Sequence, residues 1–193
     1  MKKVFLLFTF VLLTCISALG AEKVSFSFLK GETAMSYVVD WSNLTINGLK
    51  KADWIERRNA EEPQYDAKNE YEAELLPRIN DFVAKANSEL DKVNLFITSK
   101  PGRKYTLYIC SQNFTSKGDN SIECVIKESA TGKTMAEFVV NGKGGTFGSM
   151  SNLWGDGMKS SGKKFGKLVC KHLGYNPTLK DKVDDVFSRV GIK

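Results

Sequence analysis

The sequence predicts an α+β fold. Its core is a single-layer, mixed but largely antiparallel sheet of about five or six strands that includes a C-terminal three-stranded meander. Two long helices and a short C-terminal helix are expected to pack against that sheet. Three observations carry this reading. Apolar and polar residues alternate with period two at both ends of the chain, a run of helical period lies between them, and three closely spaced strand patterns are joined by glycine-containing turns.

The N-terminal residues come first and are set apart from the domain. Lys2 and Lys3 precede a run from Val4 to Ala21 that carries no charge, and Ala18-Leu19-Gly20 closes it with small residues. A basic start, an apolar stretch and small residues at the cut are the marks of a secretory signal. Residues 1–20 are therefore expected to be removed, with 21–193 left as one mixed α/β domain. The expected location is exported, periplasmic or secreted. An outer-membrane lipoprotein is disfavoured, because Leu12-Leu13-Thr14 before Cys15 is a poor lipidation signal.

In the expected mature chain, Val24, Phe26 and Phe28 alternate with serines and predict a first strand. Met35, Tyr37, Val39 and Trp41 predict a second, and Asn47-Gly48 ends that region. The charged stretch from Lys51 to Glu62 around Trp54 and Ile55 reads as a short helix or an ordered loop. From about Ala67 to Leu90, residues Tyr71, Leu75, Ile79, Phe82, Val83, Ala86 and Leu90 recur at helical spacing. Pro77 lacks a backbone donor, so this helix is expected to kink or restart there. Leu95-Phe96-Ile97 predicts a short strand.

The meander is expected at Tyr105 to Phe114, Ile122 to Glu128 and Met135 to Asn141. Symmetric turns would place Leu107, Ile109, Val125, Ala136, Phe138 and Val140 on its core face. A glycine-rich loop, Gly142 to Gly148, leads into a long helix from about Ser149 to Leu173. Glycines 155, 157, 162 and 166 lower its helicity but would let it approach the sheet closely. Asn176-Pro177 predicts the start of a last helix with Leu179, Val183, Phe187 and Val190 inward.

Composition narrows the function. The net charge is +6, and removing Lys2 and Lys3 with the signal takes it to +4. That is too weak to indicate a nucleic-acid partner. No acid/base pair, nucleophile–base pair or metal-ligand spacing stands out, so catalytic, cofactor and metal residues are each expected to be none. His172, the only histidine, reads as core-edge packing.

The remaining candidates concern anion or partner contact. Gly142, Gly144, Gly145 and Gly148 precede a helix start, where free donors can hold an anion, although neither phosphate-loop pattern is met. Lys159, Lys163, Lys167 and Lys171 recur every fourth residue as a basic stripe suited to a peripheral contact with an anionic membrane surface, or to a plain solvated face. Trp41 and Trp54 read either as a contact surface or as a seal on the sheet edge. Cys110 and Cys124 would face each other across a turn symmetric about Lys117, as a disulfide or as two buried apolar residues.

The segments FLKGETAMSYVVDWSNLTINGLKKADW, YTLYICSQNFT and ATGKTMAEFVVNGKGGTFGS resemble a group of small, uncharacterised exported proteins of Gram-negative bacteria. The order of elements is more distantly similar to accessory domains of the outer membrane: the curli secretion lipoprotein, the N-terminal domain of the Tol-system propeller protein, and lipoprotein activators of penicillin-binding proteins. The resemblance implies an exported, non-enzymatic binding or envelope-accessory domain, with an unknown protein or envelope component as partner. Two alternatives stand beside it. One is a secreted carbohydrate-active hydrolase using carboxylates such as Asp40 or Asp53, which needs two facing carboxyls in a cleft. The other is a small-ligand or lipid carrier, which needs an apolar chamber between sheet and helices.

Overall fold

A computed structural model describes residues 24–178. The signal segment 1–20 and the last helix predicted after Pro177, with Leu179, Val183, Phe187 and Val190, lie outside the described residues. The strands are β1 (Ala34–Asp40), β2 (Thr45–Ile46), β3 (Phe96–Thr98), β4 (Tyr105–Phe114), β5 (Asn120–Glu128) and β6 (Thr134–Gly142). They form one sheet in the order β3-β1-β4-β5-β6, with β2 pairing with β4 beyond the end of β1. The two longest ladders, β4–β5 and β5–β6, are antiparallel, while β1 runs parallel to both β3 and β4. The α+β class and the meander are thus as the periodicity predicts.

The first predicted strand is not one. Phe26 and Leu29 are buried at either end of a 3-10 turn, Ser27–Leu29. The sixth strand is instead the two-residue β2, too short to show a period in sequence. Phe26 packs edge-on against Phe138 at 5.2 Å, which explains an apolar residue there without a strand partner.

Four helices follow: α1 (Lys51–Glu61), α2 (Ala67–Asn69), α3 (Ile79–Leu90) and α4 (Met150–His172). A π-helical segment, Glu70–Leu75, and a 3-10 turn, Leu76–Arg78, join α2 to α3. The chain stays helical throughout but changes its winding at Pro77, which cannot donate the bond a regular helix needs. At the far end, α4 opens with Ser149, whose side chain accepts from Asn152 N.

Helices α3 and α4 cover one face of the sheet. Leu107, Ile109, Ile122, Cys124 and Ile126 from the strands meet Phe82, Trp154, Met158 and Phe165 from the helices in one fully buried cluster. Close approach depends on glycine. A Cβ on Gly162 would strike the backbone carbonyl of Phe82 in α3, and one on Gly157 would strike that of Gly118 in the β4–β5 turn. The glycines of α4 therefore fit it against α3 as well as against the sheet.

The meander register differs from the symmetric one at a single place. Phe114 pairs with Asn120 and Asn113 with Ser121, symmetric about Lys117 as the turn predicts. The ladder then shifts, so that Ser111 pairs with Ile122 and Ile109 with Cys124. Gln112 is the extra residue, a β-bulge, and a one-residue slip exchanges the faces of everything beyond it. Val125 consequently leaves the core face on which symmetry would place it, and Cys124 takes its place.

Candidate functional site

The same slip governs the cysteines. Cys110 pairs with Glu123, not with Cys124. The two thiols point to opposite faces of the sheet, and Cys110, Cys124 and Cys170 are all free. The predicted Cys110–Cys124 disulfide is therefore replaced by one buried and one half-buried thiol. Burial raises the pKa of Cys124; for Cys110 burial is the first cause and the carboxylates of Asp40 and Glu123 add to it.

The first three amides of the glycine loop are already engaged. Gly142 N donates to Asn120 Oδ1 at 3.3 Å, Lys143 N to Ser160 Oγ at 3.0 Å, and Gly144 N to Asp119 Oδ1 at 2.9 Å. These bonds tie the loop to the β4–β5 turn and to α4, with Gly145 against Asp156 and Gly148 against Asn152. Phe147 at the loop's tip is 89% exposed.

The lysine stripe is not four equivalent cations. Lys159 sits 3.5 Å from Asp156, Lys163 and Lys167 are half-buried and engaged, and Lys171 is exposed at the helix end. Trp54 is buried against Tyr71 and Trp41 is half-buried on the core, so Trp54 is not a contact surface. His172 is solvent-exposed, with its ring edge-on to Phe26 at 5.3 Å.

Of the two carboxylates singled out, Asp53 is on α1, while Asp40 is on β1 with its side chain accepting from Ser42 N. That bond, with a second from the Ser42 side chain, holds Asp40 below the usual carboxylate range. The two lie on separate elements and line none of the clefts described here. The space between sheet and helices is packed with the side chains named above. The largest of these clefts, about 550 Å³, opens on the surface between residues 29–33, 92–94 and 173–175. Among the described residues no group of three or more histidine, cysteine or acidic side chains is placed to hold a metal ion.

The surface that the sequence left unmarked is the open face of the sheet. Register partners share a face, so Val38, Tyr108, Val125 and Glu137 form one cross-strand row, and Asp40, Cys110, Glu123 and Val139 form the next. Residues of β4 and β5 that point inward are buried, whereas their outward neighbours all keep solvent exposure. Val38 is 47% and Val139 55% exposed. Three carboxylates share these rows: Asp40 and Glu137 at row ends, and Glu123 between Cys110 and Val139.

Two interactions hold the strip in place. Gln112, the bulged residue, donates from Nε2 to Glu123 Oε2 at 2.8 Å, and the Lys127 ammonium lies over the Tyr108 ring at 5.0 Å. The face is therefore net acidic on a chain that is net basic. Alternation marked half of these residues as outward, but the bulge hid which half.

No protein-family model and no curated protein matches the sequence. One solved structure, described only as an uncharacterized protein, is similar over 46% of this chain and 61% of its own length, at 18% identity and a TM-score of 0.33. A likeness that slight carries no argument about function.

Proposed function

We propose that this chain is an exported, non-enzymatic binding domain of the bacterial envelope, and that it engages a protein partner through the open face of its sheet. The observation that carries the reading is the outward cluster of Val38, Tyr108, Cys110, Val125 and Val139, flanked by Asp40 and Glu137 and interrupted by Glu123. A sheet face that merely meets water alternates toward polar residues; an apolar centre with a charged border has the anatomy of an interface. Charge complementarity selects a partner presenting apolar side chains flanked by lysine or arginine. The signal-like residues 1–20 and the resemblance to exported accessory proteins support the compartment.

The test has two arms in the native host. N-terminal sequencing of the chain is expected to begin at Ala21, in an extracytoplasmic fraction. A photo-crosslinking residue at Val38 is expected to capture one protein, and Asp40→Asn with Glu123→Gln is expected to weaken that capture. The same residue at Lys171, on the helix side, is expected to capture nothing. An unprocessed cytosolic chain overturns the export reading. Equal capture from Val38 and Lys171, or capture indifferent to the charge changes, overturns the binding reading.

A further inference from the structure

We propose that two copies of this chain associate through the free edge of β6, joining their sheets about a two-fold axis at Val139. Among the described residues, strand β6 is the last in the sheet and pairs only with β5. Its outward main-chain groups can be assigned. Gly142 N faces Asn120 on β5, so the carbonyl of the same peptide, that of Asn141, points away from the sheet. There it accepts from Lys164 Nζ at 2.6 Å. Antiparallel pairing alternates with period two, so the N–H and C=O of Glu137 and Val139 point the same way, toward an edge with no strand partner among the described residues.

Such an edge is a template for another strand, and natural proteins usually blunt it with lysine, proline or a bulge. The sequence Glu137-Phe138-Val139-Val140 contains neither lysine nor proline. Its one bulge lies earlier, where the ladder slips between Ile126 and Lys127. Lys164 covers only the Asn141 end.

Among the two-fold registers that match these outward groups, the side chains choose one. Centring on Glu137 sets two carboxylates directly opposite each other, which is repulsive. Centring on Phe138 sets each Glu137 against a valine. Centring on Val139 packs the most exposed large apolar side chain of the described strands, at 55%, against its own copy. It also sets each Glu137 opposite the partner's Asn141, within reach of the Lys164 ammonium now resting on that carbonyl. The contact is isologous and closes as a dimer. The two open faces then become one, with their Val139–Val125 strips continuous across the axis.

The experiment uses the full chain as its host processes it, carrying Cys110→Ser so that no other outward thiol interferes. Light scattering after size exclusion is expected to give twice the monomer mass, and Val139→Lys is expected to return the monomer. Val139→Cys is expected to form an interchain disulfide, since a hydrogen-bonded antiparallel pair separates Cα atoms by about 5.5 Å. Asn141→Cys, four residues out of register with its own copy, is expected not to. A chain that stays monomeric at millimolar concentration overturns the proposal. So does a dimer that survives Val139→Lys, or one that cross-links through position 141 as readily as through 139.

Discussion

Gly162 sits in the middle of α4, where helix propensity alone favours replacing it with alanine by about 1 kcal/mol. The structure predicts the opposite outcome. The added Cβ would run into the Phe82 carbonyl, with the Phe82 Cα and C at 3.0 Å, and those are main-chain atoms of α3 that no rotamer change can move. Relief requires α3 and α4 to separate, opening the contact between Phe82 and Phe165, both fully buried with ring centroids 5.7 Å apart. Overpacking of this kind costs about 1–3 kcal/mol. Offset by the propensity gain, Gly162→Ala is expected to destabilise by up to about 2 kcal/mol, seen as a urea midpoint lowered by up to roughly one molar. Gly155→Ala is the internal control, because its Cβ meets only the Asp81 Oδ2 at 2.9 Å and the mobile Arg78 side chain. That variant is expected to be neutral or to gain up to about 1 kcal/mol. A Gly162→Ala protein more stable than the parent would refute the claim that backbone contact sets the helix spacing.

Ser111 Oγ is buried without a hydrogen-bond partner, so Ser111→Ala is expected to be neutral or stabilising by up to about 1 kcal/mol in urea melts. Ser161→Ala, which removes a hydroxyl bonded to Asn120, is expected to cost about 1–2 kcal/mol in the same assay. Alkylation of the folded protein is expected to label Cys110 before Cys124, and Asp40→Asn to speed Cys110 labelling at neutral pH, because removing a nearby negative charge lowers the thiol pKa. Burial first, then Glu89, pushes the Cys170 thiol up to about 11. Its contribution is complete below the ordinary thiol range, near pH 9, and is lost progressively as pH rises toward 11. Cys124 and Cys110, also raised by burial, lose stability over the same window, so Cys170→Ala is expected to make the fall in a urea series shallower by up to about 2–3 kcal/mol without abolishing it.

How much of this was legible in sequence depended on whether one residue could displace a pattern. The Ala67–Leu90 run kept its helical period through a π segment and a 3-10 turn, so its buried residues Tyr71, Leu75, Phe82, Ala86 and Leu90 could be read directly. The meander strands were equally plain. Gln112 was not: nothing in its type marks a bulge, yet it transfers Cys124 to the core and Val125 to the surface. The Val24–Phe28 alternation failed for a different reason. Period two requires only that alternate side chains be buried, and a turn packed on Phe138 meets that condition as well as a strand does. The basic stripe and Trp54 were left with two readings each, because spacing reports which residues share a face, not what other elements already occupy it.

The bulge also bears on the open face. Had the turn's symmetric register continued along β4, Tyr108 and Cys110 would have paired with Ile126 and Cys124, residues that the observed ladder buries in the core. The extra residue instead leaves Ser111 in the core without a partner, which is costly for a buried hydroxyl. In return it carries Tyr108 and Cys110 to the outward side, beside Val125, and brings Gln112 to Glu123. The same shift seats Leu107 and Ile109 in the core in place of Tyr108, Cys110 and Gln112, so the burial of apolar side chains offsets the unpaired serine. Bulges that re-aim side chains in this way are over-represented beside functional sites. Here the re-aimed Tyr108 and Cys110 take their places on the outward face, between Val38 and Val125 and between Asp40 and Glu123, so the local irregularity and the make-up of that face have one cause in the register.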